Sequence, residues 1–224
     1  MVSNVARLSA IHTEIFHCTR CPLHVGRTNT VPGSGDPDAE IMFIGEAPGA
    51  VEDEQGLPFV GRSGQYLEEL LATINLTRND VFIANVVKCR PPENRDPTET
   101  EMATCHPYLQ AQINVIDPLL IVTVGRYSMG LFFPNAKISK IHGQPKYDAR
   151  RVYYPLYHPA YVLRNRAKLE DEIKRDIARI PQLLDEARHN RQNAPDQPDE
   201  PLKPDDEQES VASDDNPTQF SLFD

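Results

Sequence analysis

Ile41-Met-Phe-Ile44 is a run without a polar residue, and it stops on Gly45. A strand with one wet face alternates apolar and polar residues, so a run that does not alternate reads as a strand covered on both faces. Leu119-Leu-Ile-Val-Thr-Val124 ends on glycine too and reads the same way. Residues 81–87 and 152–156 give two more strands, and Pro155 in the last hints at an edge or an early end. Between and after these runs the spacing becomes helical: Leu67, Leu70, Leu71 and Ile74; a segment opening at Asp96 or Thr98 with Pro97 in its first turn; residues 126–132; and residues 169–184. Residues 5–16 form a further amphipathic helix, and 23–38 read as loop. Strands alternating with helices define an α/β chain built on a parallel sheet.

Such sheets bind ligands at the carboxyl ends of their strands. The first strand runs into Gly45-Glu46-Ala47-Pro48-Gly49, a tight turn that holds a carboxylate, and Pro58-Phe59-Val60-Gly61 then sets an aromatic ring between turn formers. Both also suit an ordinary strand-loop-helix connection. Asn85 is polar inside an apolar run, and a buried amide needs a partner, either nearby backbone or a ligand. His158-Pro159 follows the fourth strand, where a histidine is either a ligand-binding group or a satisfied polar residue.

The four cysteines divide into a close pair, Cys18-Thr-Arg-Cys21, and two single thiols, Cys89 and Cys105. Two intervening residues let both sulfurs of the pair face one point, as metal ligands do. The spacing also suits a redox pair, although the strand-helix pattern of that class is missing around it. Four thiolates would complete a zinc site or an iron–sulfur cluster, whereas Cys89 and Cys105 also read as buried apolar residues. The chain has no apolar run long enough to span a bilayer and no signal-peptide core, so a cytoplasmic location, with thiols rather than disulfides, is expected.

At 224 residues the chain suits one α/β domain with an appendage. The net charge of −10 would argue against a nucleic-acid partner, but it is unevenly placed. From Asn190 onward there are ten Asp and Glu against Arg191 and Lys203, which leaves the body near −2 and free to carry a DNA-binding face. The expected division is therefore a folded domain over 1–189 and a disordered acidic tail over 190–224. The tail ends in Gln219-Phe-Ser-Leu-Phe-Asp224, an apolar cluster that reads as a docking peptide on a solvated tether.

Taken in order, Cys18-x-x-Cys21, Gly45-Glu-Ala-Pro-Gly49, Pro58-Phe-Val-Gly61, Asn85-Val-Val-Lys-Cys-Arg-Pro-Pro92, Cys105 and His158-Pro-Ala160 resemble the family 4, iron–sulfur, uracil-DNA glycosylases over roughly residues 5–189. The resemblance implies a three-layer αβα sandwich with a central four-stranded parallel sheet, and a [4Fe–4S] cluster on Cys18, Cys21, Cys89 and Cys105 that staples the structure. It implies uracil-containing DNA as substrate and hydrolysis of the glycosidic bond of a flipped-out base. In this reading Gly45, Glu46 and Ala47 approach the base, Phe59 stacks on it, Asn85 reads its edge and His158 stabilises the departing uracil anion. Tyr161, Leu163 and Arg164 would fill the vacated stack and hold phosphates. The best-known relatives carry Asp where this chain has Ala47, so Glu46 is the expected water-positioning or charge-stabilising carboxylate, with Glu52, Asp53 and Glu54 close behind. Residues 90–96 contain no histidine of the kind that captures uracil-DNA covalently in a related branch, so turnover is expected. Gln219, Leu222 and Phe223 look like the anchors of a bacterial sliding-clamp peptide. A monomer is expected. The rivals from other classes are a clamp-tethered, non-catalytic binder of uracil or abasic sites, and a zinc-stabilised protein with no DNA role.

Overall fold

The structure is a computed structural model and describes residues 2–193. Its sheet has the spatial order β1-β3-β2-β4-β6-β5, with β1 at Ser34–Gly35, β2 at Ile41–Gly45, β3 at Phe82–Asn85, β4 at Leu120–Val124, β5 at Lys146–Tyr147 and β6 at Val152–Leu156. The four long strands are parallel, and all of their residues are buried. The expected four-stranded parallel sheet is thus the centre of a mixed six-stranded one. The additions β1 and β5 are two-residue antiparallel edges, too short to show any periodicity, and they lie in or beside stretches that read as loop. Because β5 pairs only with Val152 and Tyr153, the missing N–H of Pro155 leaves no ladder bond unmade on that side.

One sheet face, carrying Ile41, Phe43, Leu120, Val122 and Tyr154, packs on α4 (Arg62–Ala72), α9 (Arg166–Ala178) and α10 (Ile180–Asn193) through Leu67, Leu70, Leu71, Ile173, Ile177 and Leu183. On the other side, α1 (Asn4–Phe16) and α5 (Glu99–Ile116) pack together, and His12 meets the ring of Phe82. Helices on both faces of the sheet make the expected three layers. Of the two expected openings of α5 the structure takes Thr98, which caps the helix by accepting from the Glu101 N–H; the first helical residue is Glu99, so Pro97 lies just before the helix and not in its first turn. The expected last helix is two, α9 and α10, with Pro181 in the first turn of the second. α10 runs to Asn193, past the expected boundary at 189, because the Arg191 guanidinium bonds the Asp117 carboxylate and the Pro118 carbonyl at the start of β4.

Leu71 is fully buried between α4 and the sheet. Leu71→Ala should destabilise the domain by about 2–5 kcal/mol, read from urea unfolding midpoints.

Candidate active site

Strand order reverses direction around β2: the chain steps from β2 to β3 on one side and returns to β4 on the other. A crevice opens at such a point, beyond the carboxyl ends of the strands. There the structure has a cavity of about 570 Å³ lined by Glu46, Ala47, Pro48, Gly49, Glu52, Phe59, Asn85, Gly125, Arg126 and His158, among others. The expected pocket groups come together from three strand ends: Gly45, Glu46, Ala47 and Phe59 end or follow β2, Asn85 ends β3 and His158 follows β6.

The turn after β2 is held by backbone: Val86 N–H donates to Gly45 C=O and Val87 N–H to Glu46 C=O. Gly45 is required by contact. A Cβ there would lie 2.4 Å from Asn85 Oδ1 and 2.6 Å from the Phe59 ring. Phe59 itself is buried with φ of 51°, a conformation unusual for a bulky residue. Gly64 in α4 makes room for it, since a Cβ at 64 would come within 1.9 Å of the Phe59 carbonyl oxygen. Glu52, on α3 (Ala50–Gln55), fixes the rest. Its buried carboxylate accepts from the Gly49, Val60 and Gly61 amides at 3.1, 3.0 and 2.8 Å, so one side chain joins the Glu46 turn to the Phe59 loop. The residue appears in the sequence only as one of three acids after the turn. Its position three residues past Gly49 was the available signal, that of a side chain reaching back to a helix's first amide.

Asn85 is 1% exposed, and its Oδ1 has no hydrogen-bond partner. A buried amide oxygen left unmade costs about 1–3 kcal/mol, so its place in a cavity wall marks it as an acceptor for something that enters. Behind it, the buried Lys88 ammonium donates to the Asn85 carbonyl at 2.9 Å and to Gln112 Oε1 at 2.7 Å. Burial lowers the Lys88 pKa to about 8.

His158 caps α8 (Pro159–Arg164), and its Nδ1 accepts from the Ala160 N–H at 3.1 Å. That bond places the proton of the neutral ring on Nε2. Enclosure, with the nearby Arg164 charge, lowers the pKa to about 4, so the ring is a neutral donor across the neutral pH range. It lies 5.8 Å from the Phe59 ring at an interplanar angle of 28°. Glu46 shows the opposite shift: desolvation first, then the charge of Asp96, raises its pKa to about 7 against the pull of Arg126. Asp96 is itself ion-paired with Arg126, and both lie in the cavity wall without having been singled out in the sequence. Tyr161 and Arg164 also line the cavity, whereas Leu163 is half-buried against the core.

The four cysteines meet elsewhere, around one small pocket between the end of α1, the segment after β3 and the start of α5. Burial raises the pKa values of the Cys21, Cys89 and Cys105 thiols, the last to about 11. Among the described residues no three His, Cys, Asp or Glu side chains converge on a single-ion site. Four thiols around one pocket are a donor set suited to a thiolate-bound metal group. Gln219, Leu222 and Phe223 lie outside the described residues. Among the described residues no helix is long and apolar enough to cross a membrane.

An open α/β sheet with an aromatic ring, an unpartnered amide, a neutral imidazole donor and a carboxylate at one switch point has the chemistry to take up a flat, polar ring. The uracil DNA glycosylase superfamily model matches residues 32–180. The chain is 46% identical over 189 residues to a type-4 uracil-DNA glycosylase of Sulfurisphaera tokodaii, covering 78% of this chain and 86% of that one. It is 44% identical over 173 residues to the type-4 enzyme of Thermotoga maritima, covering 76% and 88%, and 43% identical over 185 residues to that of Archaeoglobus fulgidus, covering 79% and 92%. The chain belongs to the uracil DNA glycosylase superfamily, with its high-identity relatives in the type-4 group.

The raised Glu46 pKa also sets a stability difference. A carboxyl whose folded pKa lies above its unfolded value of 4.5 favours folding in its protonated form, and that contribution is lost as pH rises to about 7 and beyond. Glu46→Gln should match wild type in melting temperature near pH 4.5 and exceed it at pH 8, as scanning calorimetry would show.

Proposed function

We propose that the chain is a uracil-DNA glycosylase that takes uracil out of the DNA stack and hydrolyses its N-glycosidic bond. The observation that carries this reading is the pairing of an unpartnered, buried Asn85 Oδ1 with a neutral His158 donor in the wall of one cavity, in a chain whose relatives bear that enzyme's name. A base inside a duplex cannot reach such a cavity and must be flipped into it. Phe59 stacks on the ring. Asn85 Oδ1 accepts from uracil N3–H while its NH₂ donates to O4. Cytosine has an acceptor at N3 and a donor at C4, so it would leave both groups mismatched, a penalty of about 1–3 kcal/mol for each group left unmade.

Bond cleavage leaves negative charge on uracil and positive charge on the sugar. His158 Nε2–H donates to O2 and stabilises the departing anion. A neutral donor suits this role because it stabilises the anion by hydrogen bonding and keeps its proton, so none has to be restored before the next turnover. Glu46, ionised above about pH 7, orients the water that attacks C1′ or offsets the sugar's charge. Ala47 cannot do either, having no polar side chain. Tyr161 and Arg164 at the cavity mouth contact the DNA around the extruded nucleotide, with Arg164 on a phosphate. Leu163, on the same short helix, enters the vacated stack after the outward shift that its half-buried position calls for.

Cys18, Cys21, Cys89 and Cys105 hold a [4Fe–4S] cluster that joins the N-terminal segment to the loop after β3. The donor set supports this: four thiols face one pocket, and Arg27 donates to Cys89 Sγ at 3.2 Å, where a guanidinium would offset cluster charge. Residues 1–189, extended by α10 to 193, act as the catalytic domain. The acidic tail carries Gln219, Leu222 and Phe223 to a sliding clamp. An intracellular, monomeric enzyme fits a chain that works on DNA one lesion at a time.

Single-turnover release of uracil from uracil-containing DNA tests the enzyme reading. Wild type should release the base, His158→Ala should be slower by about 10²–10³-fold, and Glu46→Gln by about 10²-fold or more. Tight binding with no release by wild type would make the chain a damage binder instead. In wild type the rate should rise about tenfold per pH unit below about 7 and then level, with no second limb down to pH 5 because His158 stays neutral there; Glu46→Gln should lose the rise. The purified chain should be brown, absorb near about 400 nm and lose the colour in Cys21→Ser. Removing residues 219–224 should end clamp binding and leave excision unchanged.

A further inference from the structure

We infer that segment 27–29 is a strap that couples occupancy of the cysteine pocket to the placement of Phe59, with Asp53 as the positioning residue at its far end. The inference rests on the iron–sulfur reading of the four cysteines. It concerns hydrogen bonds that neither metal ligation nor base recognition requires.

The strap begins at Arg27. Its guanidinium donates to the Cys18 carbonyl at 2.8 Å, to Cys89 Sγ at 3.2 Å and to the Phe16 carbonyl at 3.2 Å. One side chain therefore touches two of the four ligand residues, one from each half of the cysteine set. The next residue leaves the cysteine pocket altogether. Thr28 N–H donates to both carboxylate oxygens of Asp53, each at 3.0 Å, and Asn29 Nδ2 donates to the Asp53 and Glu54 carbonyls, both at 2.9 Å. Three successive residues thus run from the thiols to α3.

α3 carries two buried carboxylates side by side, Glu52 and Asp53, with relative exposures of 8% and 3%. Neighbours on a helix point about 100° apart, so the pair faces two ways. Asp53 holds the strap. Glu52 holds the Gly49, Val60 and Gly61 amides and with them the loop that carries Phe59. Nothing in the bonding of Asp53 serves the cavity directly, and Asp53 is not among the residues lining it. A buried carboxylate is costly unless it is hydrogen-bonded, so the strap and Asp53 depend on each other. If the thiols are released, segment 16–18 and Cys89, which Arg27 bonds together, are free to part; Arg27 then cannot keep both, Thr28 shifts, and α3 turns the Glu52 carboxylate away from the loop amides. Phe59 is the sensitive end, because its left-handed backbone is kept only while its surroundings hold it.

Hydrogen exchange read by mass spectrometry tests the coupling, comparing the protein as purified with the same protein stripped of iron by oxidant and chelator. Stripping should speed exchange in peptides covering 15–29 and also in those covering 49–61, by about tenfold in the latter, equivalent to about 1.4 kcal/mol. Asp53→Ala should keep the wild-type iron content, show fast exchange over 49–61 before stripping, and excise uracil more slowly. Asp53→Asn, whose Oδ1 can still accept from Thr28, should restore slow exchange and most of the rate. If stripping speeds 15–29 alone, or if Asp53→Ala behaves as wild type, the coupling is wrong while the cluster reading stands. Wild-type protein that contains no iron would overturn the cluster reading itself and the inference with it. Should Asp53→Ala fail to fold, the stripped and unstripped wild-type comparison decides by itself.

Discussion

The Glu52 carboxylate is the contact on which the cavity depends. A turn after β2 and a loop before α4 have no ladder to join them, and their amides would otherwise be left without partners inside the protein. One buried carboxylate that accepts from Gly49, Val60 and Gly61 solves that problem for both at once. Charge-assisted bonds of this kind are stronger than neutral ones and fix direction as well as distance. Phe59 can therefore keep a left-handed backbone beside Gly45 and Gly64, where any Cβ would collide with it or with its carbonyl.

Around that frame, the two titratable groups of the cavity have been moved in opposite directions by one cause. Desolvation disfavours charge on both. It keeps His158 neutral by lowering its pKa and brings Glu46 close to neutrality by raising it. What separates their chemistry is hydrogen bonding. The Ala160 amide occupies His158 Nδ1 and leaves Nε2–H as the donor. For Glu46, lost water is the larger influence, with the Asp96 charge adding to it and Arg126 opposing it.

Much of the fold was legible because its strands are buried on both faces. The runs ending at Gly45, Asn85, Val124 and Leu156 cannot be mistaken for amphipathic helices, and parallel order follows from the helices between them. The edge strands β1 and β5 escaped because two residues carry no period, and the split between α9 and α10 because the spacing of their apolar residues continues across it. In the site, Asn85 and His158 stood out since each is polar where its neighbours are not. Glu52, Asp96, Arg126 and Arg27 did not, since charged residues in loops look alike until their partners are known.

The amino-acid sequence determined which residue types stand at the strand ends and how the four thiols are spaced, because local pattern and turn chemistry fix strands, caps and loops without reference to distant parts of the chain. Tertiary structure decided which carboxylates act. Glu52 became a clamp because α3 sets its carboxylate against the Gly49, Val60 and Gly61 amides, and Glu46 became the carboxyl with the raised pKa because it loses its water in the cavity wall beside the charge of Asp96. Burial and hydrogen-bond direction are properties of the assembled fold, and they set both proton affinity and the cost of moving a side chain.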